Sequence, residues 1–244
     1  MKDNFSTQSS SYARYRPAYP QELYKFLKEK LTITETAWDC GTGNGQVAGE
    51  LANFFQKVEA TDISKQQLEN AVKKPNIQYS VKRAEETNFP DNSFDLITVA
   101  QAVHWFNFKT FYNEVERVLK PNGIIALIGY SLFKSNLETD KLIHKFYKDI
   151  IGPFWDEERR YLNEKYQTIP FPFQEIETPA FQQEYQWSFD HLIGYLETWS
   201  AVKHYEKEKG ENPVNLIKNE LKTAFGNKNK IVFPILLRLG KLND

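Results

Sequence analysis

The segment 38–48, WDCGTGNGQVA, constrains the fold of this chain more than any other stretch. Three glycines at alternate positions, Gly41, Gly43 and Gly45, follow a short apolar run and precede a polar, helix-compatible segment. Glycines at a strand-to-helix turn let the backbone adopt positive φ values and approach a ligand closely. The segment therefore predicts a β-strand, a ligand-binding turn and a helix in succession.

Strand and helix patterns alternate through the first 130 residues, which is typical of a parallel sheet covered by helices. Seven strands are predicted, at 36–40, 58–62, 77–81, 94–101, 123–131, 180–187 and 230–239. Helices are predicted at 21–31, 44–56, 64–74, 107–119, 136–151, 189–205 and 213–225. The run FDLITVAQ at 94–101 is apolar almost throughout, so we place it at the centre of the sheet. The pattern predicts an α/β fold.

No repeat, low-complexity tract or linker divides the sequence, so we expect a single domain over residues 1–244. Its core is predicted at 33–131 and 178–244, with an N-terminal lid segment at 1–32. A cap insertion is predicted at 136–175, where proline and aromatic residues are frequent. A chain of 244 residues buries a sizeable core without needing to oligomerise.

Composition argues against several classes of function. The 31 basic and 32 acidic residues give a formal net charge of −1, which does not favour a general nucleic-acid surface. Cys40 is the only cysteine, so no intrachain disulfide forms, and a reducing, cytoplasmic compartment is expected. The N-terminus lacks the apolar segment of a secretory signal, and no window approaches the roughly 18 apolar residues of a membrane span. Clustered metal-ligand spacings are absent, so no metal is expected.

Two acidic residues indicate what the glycine turn binds. The dinucleotide fingerprint is G-x-G-x-x-G, whereas this run is one residue shorter. Asp39, two residues before Gly41, would place a negative charge where a pyrophosphate has to lie. Asp62 ends the second predicted strand, where a carboxylate can accept hydrogen bonds from both ribose hydroxyls. The predicted ligand has a ribose, a positive end and no phosphate, which describes S-adenosylmethionine. The alternative for the glycines is an ordinary tight turn, and the alternative for Asp62 is a helix-capping or surface acid.

The segments WDCGTGNGQVA, ATDIS and AEETNFPDNSFDLITVAQAVHWF resemble the successive motifs of the class I S-adenosylmethionine-dependent methyltransferases. YARYRPAYP, AQAVHWF, YLETWSAV and FPILLRLGKL are similar to the trans-aconitate methyltransferase-like branch. The resemblance covers nearly the whole chain. It implies a Rossmann-like, mostly parallel seven-stranded sheet with helices on both faces and a helical, aromatic cap.

The same resemblance implies the cofactor contacts. It places Asp39 and the three glycines around the methionine part of the cofactor, and Asp62 on the ribose. Ile63 would pack against the adenine, Ala84 would offer its backbone to the ring, and Glu85 would lie near the exocyclic amine. The residue before Ala84 is often acidic in related enzymes but is Arg83 here, which is a departure from the family pattern. The predicted cofactor-binding residues are Arg16, Asp39, Gly41, Gly43, Gly45, Asp62, Ile63, Ala84, Glu85 and Gln101.

A candidate acceptor site follows the fourth predicted strand, whose carboxyl end is where an open α/β sheet binds ligands. Three roles are open for His104: a general base, a cationic donor that holds a substrate carboxylate, and a buried structural residue. The paired Arg14 and Arg16 belong either to a surface segment or, as the resemblance implies, to a lid with Arg16 available for a carboxylate. Helical spacing places Trp199 mainly in the core, with an open second role at the pocket edge. The predicted substrate-binding residues are Tyr12, Arg16, Tyr19, His104, Trp105, Tyr130 and Trp199.

The leading hypothesis is methyl transfer from S-adenosylmethionine to a small molecule. The carboxylate of an organic acid is favoured because a carboxylate nucleophile needs no base. The alternatives are an O- or N-methyltransferase of a phenolic or amine metabolite and a non-catalytic cofactor-binding module. An NAD-dependent oxidoreductase is disfavoured by Asp39 and by the glycine spacing. No nucleic-acid partner is expected, since AQAVHW after the fourth strand lacks the Asn/Asp-Pro-Pro-Tyr pattern of amino-methylating nucleic-acid enzymes. No membrane partner is expected either, because no apolar span is present.

Overall fold

A computed structural model describes residues 14–243, which form a mixed α/β fold around one sheet. The strands are β1 (Thr36–Cys40), β2 (Lys57–Asp62), β3 (Ile77–Val81), β4 (Phe94–Ala100), β5 (Leu119–Tyr130), β6 (Gln174–Ile176), β7 (Phe181–Ser188) and β8 (Lys228–Lys241). The α-helices are α1 (Gln21–Glu29), α2 (Gln46–Leu51), α3 (Lys65–Glu69), α4 (Phe108–Val118), α5 (Leu137–Lys145), α6 (Arg160–Asn163), α7 (Phe189–Glu197), α8 (Ser200–Lys209) and α9 (Lys218–Phe225).

The sheet confirms the predicted Rossmann-like, mostly parallel arrangement. Its strand order is β3-β2-β1-β4-β5-β8-β6, with β7 also paired to β8. Strands β1 to β5 pair in parallel with their neighbours, and β8 runs antiparallel to β5. The strand order reverses between β1 and β4, so the connections leave these two strands in opposite directions. A crevice is expected at their carboxyl ends.

The predicted count of seven strands was wrong, because the sheet formed by residues 14–243 has eight. Ile235 of β8 pairs with both Tyr130 of β5 and Phe181 of β7, so β5 and β7 lie on opposite edges of β8. Lys241 joins β5 and β6 in the same way, so β6 and β7 share one edge. Between β6 and β7 lies Pro179, which has no N–H to donate to the ladder. The predicted strand at 180–187 corresponds to β7, and β6 is the additional strand that the sequence did not predict.

Helices cover both faces of the sheet and bury two apolar clusters. The neighbours Leu96 and Ile97 of β4 belong to different clusters because successive side chains of a strand point to opposite faces. Helix α1 buries Leu23 and Leu27 in the first cluster, and α4 buries Val115 in the second. The central position predicted for β4 is confirmed, since six of its seven residues are buried.

Two helices, α7 and α8, replace the single helix predicted at 189–205. The helix stops at Thr198, and Trp199 leads into α8 with extended backbone. Trp199 is 2% exposed and its ring lies 5.6 Å from that of Trp155, between ring centroids. Helix α5 continues into a π-helical turn, Phe146–Ile150. The Phe146 ring stacks on the Trp199 ring at the α7–α8 junction, with 6.2 Å between the ring centroids.

Candidate cofactor and acceptor site

A cleft lies at the carboxyl ends of β1 and β4, where the strand order reverses. Gly41 directly follows β1, and Gln101 directly follows β4. The predicted residues on its wall are Arg16, Tyr19, Asp39, Gly41, Gly43, Asp62, Ile63, Ala84, Gln101, Trp105 and Tyr130. Tyr12 lies outside the described residues, and its predicted role stays a prediction. The cleft gathers most of the predicted cofactor residues in one place.

The three glycines of the turn all have left-handed backbone, with φ of 69° at Gly41, 55° at Gly43 and 76° at Gly45. A Cβ atom on Gly43 would meet no heavy atom within 4 Å, so this backbone borders open space in the cleft. Gly45 is not on the cleft wall; a Cβ atom there would lie 2.2 Å from the Tyr79 hydroxyl. Gly45 therefore allows close packing at the start of α2, whereas Gly43 leaves room for a ligand.

Alanine substitutions at the two glycines are expected to separate these roles. Each pays the roughly 1–2 kcal/mol that a left-handed backbone costs an L-residue. Gly45→Ala adds the clash with Tyr79, so its unfolding free energy, measured by urea titration, should fall further than that of Gly43→Ala. Gly43→Ala should instead lose more cofactor affinity in calorimetry. Equal stability losses would contradict this assignment.

Asp39 is buried beneath the turn, with 1% of its surface exposed. Its Oδ2 accepts hydrogen bonds from the Thr42 hydroxyl at 2.5 Å and from the Ala48 amide at 3.1 Å. Its Oδ1 accepts one from the Thr98 hydroxyl at 2.7 Å. Burial raises the pKa of this carboxyl from 3.8 to about 6, against the opposing effect of these donors. Asp39 thus fixes the glycine turn and carries a partly destabilised negative charge at the cleft.

Asp62 ends β2 and presents its carboxylate at the cleft wall. Its Oδ2 accepts a hydrogen bond from the Gly43 amide at 2.9 Å, and its Oδ1 accepts one from the Ser64 amide at 2.9 Å. A carboxylate oxygen has two lone pairs, so a carboxylate can bind backbone amides and ligand hydroxyls with the same oxygens. The arrangement suits a group with two neighbouring hydroxyls, such as a ribose.

The predicted adenine end is only partly assembled on the wall. Ile63 and Ala84 line the cleft, together with Lys82, which the sequence reasoning missed. Glu85 is not on the wall. Its Oε1 accepts a hydrogen bond from the Asn107 amide at 3.2 Å, and its Oε2 lies 3.5 Å from Nε of Arg83. Arg83, where the family pattern often has an acid, thus pairs with the residue predicted at the exocyclic amine.

A second cavity adjoins the cleft. Arg16, Gln101 and Trp105 line both spaces. The other residues of the described chain that line the second cavity are His104, Trp155, Asp156, Arg159, Leu162, Trp199 and Ser200. His104 and Trp199 were predicted; Asp156 and Arg159 were missed, although their segment WDEERR is a conspicuous charged run inside the aromatic cap. A ligand in the cleft and a ligand in the second cavity would therefore be neighbours at the shared residues.

Arg16 ties the N-terminal segment to the junction of the two spaces. Its Nη1 donates to the Tyr130 hydroxyl at 3.1 Å, and its Nη2 donates to the Thr198 carbonyl at 3.0 Å. The guanidinium carbon lies 5.5 Å from the centre of the Tyr195 ring. The break between α7 and α8 leaves the Thr198 carbonyl available for this bond.

Gln101 also stands at the junction. Its φ of 53° is unusual for a residue other than glycine. Its Nε2 donates to the Tyr130 carbonyl at 3.2 Å, and this hydrogen bond orients the side-chain amide. Strained backbone of this kind is concentrated at functional sites.

His104 is buried, at 5% exposure, beside Trp105 and Tyr166. Burial, and secondly the positive charge of Arg159, lower the pKa of its imidazole from 6.5 to about 3. Its Nδ1 has no hydrogen-bond partner within residues 14–243. The imidazole is therefore neutral at physiological pH, which does not favour the predicted role of a cationic donor.

The residues of the cleft fit S-adenosylmethionine by the chemistry of their donors and acceptors. The Asp62 carboxylate suits ribose hydroxyls, the Asp39 charge favours a cationic end, and the open backbone at Gly43 admits a close ligand. Among residues 14–243, no group of three or more His, Cys, Asp and Glu is placed to hold a metal. In the same part of the chain, no helix has both the length and the apolar character needed to cross a membrane.

Comparison with known proteins also indicates a methyltransferase. The family described as "Methyltransferase domain" matches residues 38–127. A relative from Dictyostelium discoideum that bears a methyltransferase name is 34% identical over 249 residues, covering 98% of this chain and 95% of the relative. A second relative, from Schizosaccharomyces pombe, also bears a methyltransferase name and is 27% identical over 85% of this chain and 82% of its own length.

A solved structure from Anaeromyxobacter dehalogenans, described as a type II methyltransferase, superposes with a TM-score of 0.87. It is 35% identical, and the match covers 94% of this chain and 100% of that one. The near-complete coverage at this identity extends the likeness beyond the cofactor-binding half to the cap and the final strands. The chain belongs to the class I S-adenosylmethionine-dependent methyltransferases, and S-adenosylmethionine is its cofactor.

Proposed function

We propose that this enzyme methylates a carboxylate oxygen of a small organic acid. The observation that carries the proposal is the second cavity, which combines positive charge with a neutral, buried imidazole. Within residues 14–243, its charged wall residues are Arg16, Arg159 and Asp156, two cations against one anion, and His104 adds no charge. These described wall residues carry a net charge of +1, which favours an anionic acceptor. The similarity of several segments to the trans-aconitate methyltransferase-like branch supports the same class.

The cofactor would be held by the residues that line the first cleft. Asp62 would accept hydrogen bonds from the ribose, Ile63 and Ala84 would contact the adenine, and Asp39 and the glycine turn would face the methionine part. S-adenosylmethionine supplies an electrophilic methyl group on a cationic sulfur. What remains for the protein is to align the acceptor and to exclude water.

A carboxylate acceptor simplifies the task of the protein, because it is already anionic at neutral pH and no proton has to be removed. Arg16, Gln101 and Trp105 border both spaces, so the reacting oxygen would lie beside them. Alignment at near-attack distance is worth up to about 7–11 kcal/mol in well-oriented systems. The aromatic cap would exclude water from this junction.

A matched acceptor panel tests the proposal. Wild-type protein is incubated with S-adenosylmethionine and pairs of compounds that differ only in carboxylate against carboxamide, with phenols and primary amines as further classes. The expected result is a methyl ester, identified by mass spectrometry, from acids alone. Methylation of phenols or amines with no ester would contradict the proposal.

His104→Gln distinguishes the acid reading from the alternative of a phenolic or amine acceptor. If His104 were a general base, its loss would lower kcat by about 10²–10⁴-fold. We expect a kcat change below about 10-fold with an acid acceptor, and a flat kcat between pH 6 and pH 9. Steady-state kinetics of both proteins measure this, with thermal unfolding as the control for folding. A loss of 100-fold or more in a folded variant would restore the base role.

A further inference from the structure

The guanidinium of Arg159 has an unusual combination of support and availability. Its Nε donates to the Tyr147 hydroxyl at 3.0 Å, and its central carbon lies 4.7 Å from the centre of the Trp155 ring. The Tyr147 hydroxyl in turn donates to Asn163 at 2.6 Å, and the Trp155 indole donates to the Tyr147 carbonyl at 3.2 Å. The side chain is therefore held in one orientation by rings and hydrogen bonds of the cap.

The two terminal nitrogens of Arg159 form no hydrogen bond or ion pair with any residue of the described part, 14–243. Arg159 is half-buried and lines the second cavity. A partly buried guanidinium with an unused pair of N–H groups is suited to bidentate binding of a carboxylate or a similar oxyanion. Asp156 lies on the same wall, but its side chain forms no hydrogen bond or ion pair with Arg159. Its Oδ2 lies 4.0 Å from Nδ1 of His204.

The position of Arg159 separates it from the reacting group. Arg16, Gln101 and Trp105 line both spaces, whereas Arg159 lines the second cavity alone. The oxygen that receives the methyl group has to lie at the shared junction. Arg16 stands at that junction, but its terminal nitrogens already donate to Tyr130 and Thr198.

We infer that Arg159 determines acceptor specificity by binding an anionic group of the acceptor other than the one that is methylated. The inference rests on the proposed function and adds to it the number of anionic groups that the acceptor carries. An acceptor is therefore favoured when one of its groups can lie at the junction while an anionic group binds Arg159. Acceptors with a single carboxylate lack the second contact.

The test uses Arg159→Gln and Arg159→Lys, with Arg160→Gln as the matched control. Arg160 is the exposed neighbour, bonded to the Tyr161 hydroxyl, and it is not on the cavity wall. Glutarate and its monoamide form the acceptor pair, since they have similar shapes and differ by one charge. Wild type and Arg160→Gln should have a higher kcat/KM for glutarate. Arg159→Gln should lose about 10- to 100-fold for glutarate and little for the monoamide.

Three further readouts separate this role from a merely structural one. Arg159→Lys should restore part of the preference for glutarate, because it keeps the charge but not the bidentate geometry. S-adenosylhomocysteine affinity should be unchanged in both variants. The imidazole pKa of His104, followed by NMR, should rise in Arg159→Gln because a nearby positive charge is removed. Equal losses for glutarate and its monoamide would overturn the inference.

A binding experiment keeps the two proposals distinguishable. Glutarate is titrated calorimetrically into each protein saturated with S-adenosylhomocysteine. Binding that is present in wild type and Arg160→Gln but lost in Arg159→Gln supports the anion site even if no acid is methylated, in which case only the proposed function fails. Absence of glutarate binding to wild type, or binding that survives in Arg159→Gln, overturns the site.

Discussion

Asp62→Ala is expected to weaken S-adenosylmethionine binding by at least about 100-fold, because two charge-assisted hydrogen bonds to the ribose, at about 1.5–3 kcal/mol each, would be lost. The wild-type carboxylate also accepts from the Gly43 and Ser64 amides, so its removal loosens the glycine turn as well. Both effects act in the same direction. Isothermal titration calorimetry with S-adenosylmethionine and S-adenosylhomocysteine measures the loss.

Glu69→Gln is the matched control for this substitution. Glu69 lies on α3 and pairs with Lys65 at 3.7 Å, with most of both side chains exposed. It removes the same charge from the same region without touching the cleft wall. The Glu69→Gln variant should bind S-adenosylmethionine within about twofold of wild type, because Glu69 does not line the cleft. Its stability should also change little, since exposed ion pairs contribute about 0–1 kcal/mol to folding. A folded Asp62→Ala protein that binds like wild type would refute the ribose assignment.

Asp39→Asn is expected to change how stability depends on pH. Burial raises the pKa of Asp39 from 3.8 to about 6, so between these values the folded chain holds a proton that the unfolded chain has lost. Stability therefore falls as pH rises through this interval. The ionised Asp39 costs the folded protein about 3 kcal/mol at pH 7, at roughly 1.36 kcal/mol per pH unit. Asparagine cannot ionise and removes this cost.

The measurement compares urea unfolding of wild type and Asp39→Asn at pH 4 and pH 7, without cofactor. Taking the difference between the proteins cancels the titration of shared groups such as Glu114, whose lowered pKa acts in the opposite direction. Between pH 4 and pH 7 the variant should gain about 2 kcal/mol relative to wild type, while it loses cofactor affinity. A difference that stays constant with pH would show that Asp39 titrates normally.

Much of the fold follows from local sequence patterns. The apolar run at 94–101 predicted a strand buried on both faces, and β4 (Phe94–Ala100) is such a strand. The alternating glycines predicted a left-handed turn, and all three have positive φ. Periodicity failed where tertiary contacts decide the outcome. The sequence of 189–205 continues a helical pattern through Thr198, yet the helix is interrupted there. Arg16 donates a hydrogen bond to the Thr198 carbonyl at this interruption.

The cofactor side of the site was more predictable than the acceptor side. Asp39, Gly43 and Asp62 occur at fixed distances from strand ends, so spacing alone brings them to the cleft. Asp156 and Arg159 reach the second cavity through short helical turns of the cap, whose path no periodic pattern encodes. Glu85 matches the motif by its sequence position, but its side chain accepts a hydrogen bond from the Asn107 amide and does not line the cleft, so its predicted role stays a prediction.

The identity of the methylated atom distinguishes a carboxylate acceptor from a phenolic or amine acceptor. The enzyme is incubated with methyl-labelled S-adenosylmethionine and a small-molecule extract, and the labelled products are treated with mild alkali. Methyl esters hydrolyse and release labelled methanol, whereas aryl methyl ethers and methylamines are stable. If the acceptor is a carboxylate, most of the transferred label should become volatile. Label that stays in the alkali-treated products would contradict carboxylate methylation and point to a phenolic or amine acceptor.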